Sequence, residues 1–261
     1  MAGRMPSRVL PAAGYRRALH LAAALILACG AARAAPDYER EKRWADEIVP
    51  ALVIGDPVYL QLESGRRFLA IHAAAAQSAA AVIVVHGLGV HPDWGLNNTL
   101  RSQLYEQGYT TLAVQMPVLA AGATAQEYSQ TFPEAAQRLA SAVDFLRGKG
   151  YAKIGLVSHS MGARMAEYFI GKAAGHQVDA WVALGIPGEF VDGTKLGLPV
   201  LDLYGERDFP AVLAAAPQRA QALRAARGSG QIQVEGADHF FDGREQELVR
   251  WTKRFFDRTL R

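Results

Sequence analysis

The stretch KIGLVSHSMG, residues 153–162, decides the fold. Its first six residues, KIGLVS, are predicted to form a strand, and a helix is predicted to follow from Ser160. A strand that enters a helix through a small-x-Ser-x-Gly turn is the context of a nucleophile elbow, where the residues beside the serine must be small. Ser158 stands in place of the usual first glycine, and it is small enough for this turn. Ser160 is therefore the candidate nucleophile, and its alternative role is a helix N-cap at the same corner.

Strands alternate with helices on both sides of this stretch. Residues 57–62 and 66–72 alternate apolar and polar side chains around a Ser-Gly turn, which predicts an antiparallel hairpin. The later alternation predicts right-handed βαβ units in a mostly parallel sheet with helices on both faces. Further strands are expected at 81–85, 110–115, 153–158, 179–184, 199–204 and 231–235, and helices near 97–107, 134–147, 160–170, 211–226 and 245–260.

Two loops after late strands carry the candidate partners of Ser160. His239 follows the strand at 231–235 and precedes the final helix, which is where a general base facing the elbow must lie. Asp208 follows the strand at 199–204 and is the candidate acid, with Glu206 and Asp202 as alternatives. Asp202 lies inside an apolar strand, where an unpaired charge is unfavourable, so it should have a hydrogen-bond partner. The chain order Ser, Asp, His distinguishes this arrangement from other triads.

A glycine turn after the strand at 81–85 is the candidate oxyanion hole. Gly87 and Gly89 would let backbone N–H groups approach a substrate closely. The expected donors are the N–H groups of Leu88 and of Met161, the residue after the nucleophile, while Gly162 keeps the elbow tight. The alternative is an ordinary glycine turn.

The residues after this turn do not predict a metal centre. His91 and Asp93 could be ligands, but no third ligand lies nearby in the sequence, so they and Trp94 are expected in a structural loop or a pocket wall. The sequence has no nucleotide-binding loop, haem motif or zinc motif. We therefore predict no metal and no cofactor.

The first 34 residues predict an export signal. Arg16 and Arg17 precede an apolar run at 18–28, and Ala32-Arg33-Ala34 matches a small-x-small cleavage site. The expected organisation is a signal peptide at 1–34 and one domain at 35–261, in the periplasm or secreted. An uncleaved anchor is one alternative. A lipoprotein is another, because Ile-Leu-Ala-Cys ending at Cys29 resembles a lipobox, and only then would a membrane be a partner.

The charge outside this segment excludes an electrostatic footprint for nucleic acid. The chain has 28 basic and 25 acidic residues. Residues 1–34 hold five arginines and no acid, so 28 − 5 = 23 basic residues remain against 25 acidic ones. Cys29 is the sole cysteine, so the predicted domain has no disulfide and no cysteine-based metal site.

Residues from about 57 to 260 resemble the α/β-hydrolase superfamily. Within it, VHGLGVHPDW at 85–94, Gln-Met-Pro at 115–117 and SHSMG at 158–162 resemble a small bacterial family of uncharacterised function. The resemblance implies the fold and the triad roles of Ser160, Asp208 and His239. It implies no substrate, because this fold carries many activities.

The short segment at 185–197 leaves no room for the helical cap that many lipases insert there. An open, shallow site is therefore expected, with a small-molecule or surface-presented acyl substrate. The leading hypothesis is a serine hydrolase acting on carboxylic esters or thioesters. The alternatives are a non-catalytic binding protein on the same fold, an acyltransferase and a peptidase.

Overall fold

A computed structural model describes residues 1, 3, 35–172, 178–191 and 197–260. The predicted signal peptide therefore lies almost wholly outside the described residues. The strands are β1 (Asp56–Gln61), β2 (Arg67–Ala73), β3 (Ala80–Val85), β4 (Thr110–Val114), β5 (Lys153–His159), β6 (Ala180–Leu184), β7 (Val200–Arg207) and β8 (Gly230–Asp238). The helices are α1 (Tyr38–Ile48), α2 (Gly95–Glu106), α3 (Ala125–Tyr128), α4 (Phe132–Gly148), α5 (Met161–Lys172), α6 (Pro210–Leu223) and α7 (Glu245–Thr259).

The eight strands form one sheet in the order β1-β2-β4-β3-β5-β6-β7-β8. Strand β2 is antiparallel to β1 and β4, and every other neighbouring pair is parallel. This confirms the predicted hairpin and the mainly parallel sheet. Because β3 and β5 are neighbours in the sheet centre, the turns at their carboxyl ends meet, which is where open α/β sheets bind ligands.

The central strands carry uninterrupted runs of apolar residues because both faces of the sheet are covered. Ala81 and Ile83 of β3 pack in one apolar layer with Leu139 of α4, while Val82 packs in the other layer with Phe256 of α7. Successive side chains of a strand point to opposite faces, so a strand covered on both sides needs apolar residues throughout.

One helix beside the site was absent from the sequence-based expectation. Helix α3 is a single turn, begun by a capping box in which Thr124 and Glu127 exchange side-chain-to-backbone hydrogen bonds. A helix this short has little periodicity, so apolar spacing does not reveal it.

The connection between β6 and β7 carries no helix among its described residues, 185–191 and 197–199. The described residues thus show no large cap domain, as the short length of this connection predicted. Within the described ranges, no helix has the length and apolar character to cross a membrane.

Candidate active site

Ser160 occupies a strained turn between β5 and α5. Its φ is 54°, in the left-handed region that non-glycine residues rarely adopt. The Ser160 N–H donates to the carbonyl of Leu184 at 2.8 Å, and the Ser160 carbonyl accepts from the N–H of Ala163 at 3.0 Å. The turn is thus held at both ends, and the Ser160 side chain is only half-buried while its chain neighbours are buried.

The elbow packs against the glycine turn so closely that positions 162 and 87 have little or no room for a side chain. A Cβ at Gly162 would collide with the carbonyl oxygen of His86, and one at Gly87 would lie 3.3 Å from the Cβ of Ser160. Serine is accommodated at 158 because its buried hydroxyl accepts a hydrogen bond from Nε1 of Trp181 at 2.8 Å. Serine in place of glycine at position 158 therefore adds a buried hydrogen bond.

Ser160, His239 and Asp208 form one line of hydrogen bonds. Nε2 of His239 lies 2.9 Å from Oγ of Ser160, and Nδ1 lies 2.5 Å from Oδ1 of Asp208. His239 and Asp208 are buried, and Oδ1 of Asp208 also accepts the Phe209 N–H at 2.7 Å. An imidazole between a hydroxyl and a carboxylate is oriented to take the hydroxyl proton at one nitrogen while the other is held protonated.

The two alternative acids are bound elsewhere. Asp202 accepts from Nε of Arg219 at 2.8 Å and from Nε2 of Gln231 at 2.7 Å, so its expected partners are these two side chains. Glu206 accepts the N–H of Gly236 at 2.9 Å. Of the three candidates, Asp208 is the carboxylate that faces His239.

The glycine turn is oriented by His86. Nε2 of His86 accepts the Met116 N–H at 2.8 Å, and burial lowers the pKa of His86 to about 3, so the neutral ring carries its proton on Nδ1. That Nδ1–H donates to the carbonyl of Gly87 at 2.8 Å. The peptide bond is planar and trans, so the Leu88 N–H points away from this carbonyl. Leu88 and Met161 line the same cavity as Ser160, and no hydrogen bond between described residues uses either N–H.

Several side chains around His239 were missed by sequence reasoning. The Phe209 ring stacks on His239 at 4.0 Å between centroids, and the Phe240 ring meets it edge-on at 5.2 Å. Burial lowers the pKa of His159 to about 3, and its neutral Nε2–H donates to the carbonyl of His239 at 2.9 Å. Phe209 and Phe240 each directly follow a predicted triad residue, and that adjacency was the available signal.

The loop at 91–94 is occupied by contacts within the protein. Asp93 accepts hydrogen bonds from Asn98 and Arg101, and the His91 ring lies 5.4 Å from the Trp44 ring. The described part of the chain contains no group of three or more His, Cys, Asp or Glu side chains arranged for a metal ion. Trp94 lines the same cavity as Ser160, and a pocket wall is one of the two roles expected for this loop.

Two adjoining cavities open beside Ser160. The catalytic cavity, about 340 Å³, is lined by the glycine turn, the elbow, His239 and aromatic residues including Phe209 and Phe240. The second cavity, about 620 Å³, shares Ala125, Met161 and Pro187 with it. Helices α3 and α5 wall the second cavity together with Pro187 and Val191 of the β6–β7 connection.

Comparisons with known proteins agree with this architecture. The dienelactone hydrolase from Anabaena variabilis superposes with a TM-score of 0.64 at 18% identity, covering 79% of this chain and 98% of that one. A Xanthomonas campestris serine hydrolase without a lid gives 0.63 at 15% identity, covering 80% and 96%. A Pyrococcus furiosus esterase gives 0.65 at 15% identity, covering 79% and 92%. These likenesses establish the fold.

The family follows from a separate sequence comparison. No curated protein matches the chain. The model of the dienelactone hydrolase family matches residues 68–254, a range that runs from β2 into α7 and includes every candidate site residue. Since that range covers well over half of the 261 residues, the chain belongs to the dienelactone hydrolase family, within the α/β-hydrolase superfamily.

Proposed function

We propose that the protein hydrolyses carboxylic esters or thioesters through an acyl-enzyme on Ser160. The observation that carries the proposal is the hydrogen-bonded line from Ser160 Oγ through His239 to Asp208. A serine hydroxyl is a weak nucleophile at neutral pH and needs an adjacent base, which this line supplies. Membership of a hydrolase family supports the same reaction class.

The proposed reaction starts when His239 Nε2 takes the proton of Ser160 as its Oγ attacks the acyl carbonyl carbon. The N–H groups of Leu88 and Met161 would stabilise the oxyanion, and each such donor contributes roughly 3 kcal/mol to lowering the barrier. The protonated His239, stabilised by Asp208, gives its proton to the leaving oxygen or sulfur. Water then attacks the acyl-enzyme by the same route and releases the acid. A lactone, which is a cyclic ester, would open by the same steps.

The strain at Ser160 favours an enzyme over a binding protein. A φ of 54° at a serine is unfavourable by about 1–3 kcal/mol, which a scaffold that only binds has no reason to keep. Acyl transfer would share the acyl-enzyme and differ only in the acceptor, while a peptidase would expel an amine. Hydrolysis of an activated ester is the common test for all three reactions.

Labelling with a fluorophosphonate tests the nucleophile without knowledge of the substrate. We expect the probe to map to Ser160 and p-nitrophenyl acetate to be hydrolysed. Ser160→Ala and His239→Ala should each remove most of this activity, and the double variant should lose little more, because the residues act as a unit. Ser141→Ala, in helix α4 and outside the site, is the matched control. Folded protein that neither labels at Ser160 nor exceeds Ser160→Ala in turnover would refute the esterase proposal.

Export from the cytoplasm is a second proposal, carried by the sequence of residues 1–34. We expect the mature chain to start at Ala35. Intact-mass measurement on the exported protein tests this, because a chain starting at a lipidated Cys29 would indicate a membrane anchor. A chain that retains Met1 would contradict cleavage.

A further inference from the structure

We propose that the 620 Å³ cavity beside Ser160 is the acyl-binding subsite and selects esters of large apolar carboxylic acids. This inference rests on the proposed function and adds the class of acid to it. The cavity adjoins the catalytic cavity through Ala125, Met161 and Pro187. A group attached to the carbonyl carbon at Ser160 therefore reaches it by passing Met161.

The position of His239 identifies which half of the ester enters this cavity. His239 must give its proton to the leaving group, so the leaving group has to remain beside the imidazole. The imidazole lies between Phe209 and Phe240 in the smaller cavity, and none of these three residues lines the larger one. The alcohol or thiol half thus belongs with the aromatic pair, and the acyl half takes the opposite direction.

The walls of the larger cavity suit an apolar group. Its lining includes the apolar or aromatic side chains of Phe132, Met161, Tyr168, Pro187 and Val191. Its volume lies within the roughly 300–1,000 Å³ range of pockets that enclose drug-sized ligands. An acetyl group would leave most of this space unfilled, whereas a medium-chain or aryl acyl group would bury apolar surface against it.

Two of the three charged side chains in the wall, Arg164 and Glu167, are paired with each other. Arg164 Nη1 lies 2.5 Å from Oε2 of Glu167, and Oε1 of Glu167 accepts the Val191 N–H at 2.7 Å. Glu167 is buried, so this pair fixes the segment after β6 that forms one wall. The Arg164 cation is neutralised locally and does not call for an anionic acyl group. Lys172 is exposed, with its Nζ 5.8 Å from the Tyr168 ring centroid.

Two glycines provide a matched pair of variants. Gly171 lines the cavity near the end of α5, and Gly148 ends α4 away from both cavities. A Cβ at either one meets no atom within 4 Å, and neither has a positive φ. Gly171→Phe should occupy the cavity, and Gly148→Phe should add the same ring to a helix without entering it.

The experiment measures kcat/KM for p-nitrophenyl esters from acetate to octanoate. The wild type and Gly148→Phe should gain roughly fourfold for each added methylene until the cavity is filled. Gly171→Phe should lose most of the gain with chain length that Gly148→Phe keeps. In a second series, acetate esters of increasingly large alcohols, Gly171→Phe and the wild type should follow the same trend. Sensitivity to the alcohol instead of the acid would overturn the assignment.

A binding measurement separates failure of this inference from failure of the proposed function. Octanoate should bind the Ser160→Ala protein in calorimetry, and Gly171→Phe in that background should weaken binding at least tenfold. Octanoate binding with this loss, but no ester turnover by the wild type, would support the cavity and refute the esterase. Turnover without any dependence on acyl length, or octanoate binding that Gly171→Phe leaves unchanged, would refute the acyl subsite.

Discussion

Asp208 and Asp202 are both buried, and changing each of them to asparagine should impair a different property of the protein. Oδ1 of Asp208 faces Nδ1 of His239 at 2.5 Å, whereas Asp202 is paired with Arg219 at 2.8 Å with both side chains fully buried. Asp208→Asn keeps the size of the side chain but presents an amide that favours the wrong imidazole tautomer. In a triad this lowers kcat by about ten-thousand-fold, which is about 5.4 kcal/mol of transition-state stabilisation.

Asp202→Asn should instead destabilise the fold. It leaves the Arg219 guanidinium buried without its carboxylate, and breaking a buried pair in this way costs about 3–5 kcal/mol. That loss is a large share of the roughly 5–15 kcal/mol by which a domain is stable. The folded fraction of this variant should keep kcat within about tenfold of the wild type, because Asp202 touches neither Ser160 nor His239.

The assay pairs kcat for p-nitrophenyl acetate with urea unfolding followed by circular dichroism, and kcat is normalised to the folded fraction. Asp208→Asn should show a large kcat loss with a small stability change, and Asp202→Asn should show the reverse. A folded Asp208→Asn protein within tenfold of the wild-type kcat would refute the assignment of the acid. A greater kcat loss in Asp202→Asn than in Asp208→Asn would refute it as well.

Three further perturbations follow from the packing around the elbow. Gly162→Ala should lower both the free energy of unfolding and kcat, because its methyl group collides with the backbone carbonyl of His86; thermal melting and ester turnover check this. Ser158→Ala should destabilise by about 1–3 kcal/mol by leaving the Trp181 N–H unpaired, and adding Trp181→Phe should cost less than the two single changes summed, as urea unfolding would measure. Burial lowers the pKa of His159 from 6.5 to about 3 in the folded protein. As the pH falls, His159 is therefore protonated in the unfolded chain before it is protonated in the folded one. Stability should therefore fall with decreasing pH below about 6.5, and His159→Gln should reduce that slope by up to about 1.4 kcal/mol per pH unit.

Each of these has a contrary result that the same measurement would reveal. Wild-type stability and activity in the Gly162 variant would contradict the close packing of the elbow. Strict additivity in the Ser158 and Trp181 cycle would contradict their hydrogen bond. An unchanged slope of stability against pH after His159→Gln would mean that this histidine is not held neutral in the folded state.

The sequence by itself determined the order and type of the main elements. The apolar run at 81–85 indicates a strand covered on both faces, and the amphipathic stretches between the strands indicate the covering helices. The same local logic placed Ser160, Asp208 and His239 in turns after strands of one parallel sheet. The structure brings these three side chains together, and their catalytic roles stay a prediction.

Contacts between distant segments decided the rest. Position after the strand favoured Asp208 as the acid and left Glu206 and Asp202 as alternatives. Side-chain directions in the folded chain decide that Asp208 is the one that faces His239. The hydrogen bond between Ser158 and Trp181 joins neighbouring strands whose register no local pattern reveals.

The larger cavity was likewise invisible in the sequence. Its walls come from α3, the start of α4, α5 and the segment after β6, which are far apart along the chain. Local patterns record how each residue relates to its near neighbours, whereas a cavity is the space left where separate elements fail to fill the volume between them. Only the packing of the whole domain sets that space, and here it decides what the site can hold.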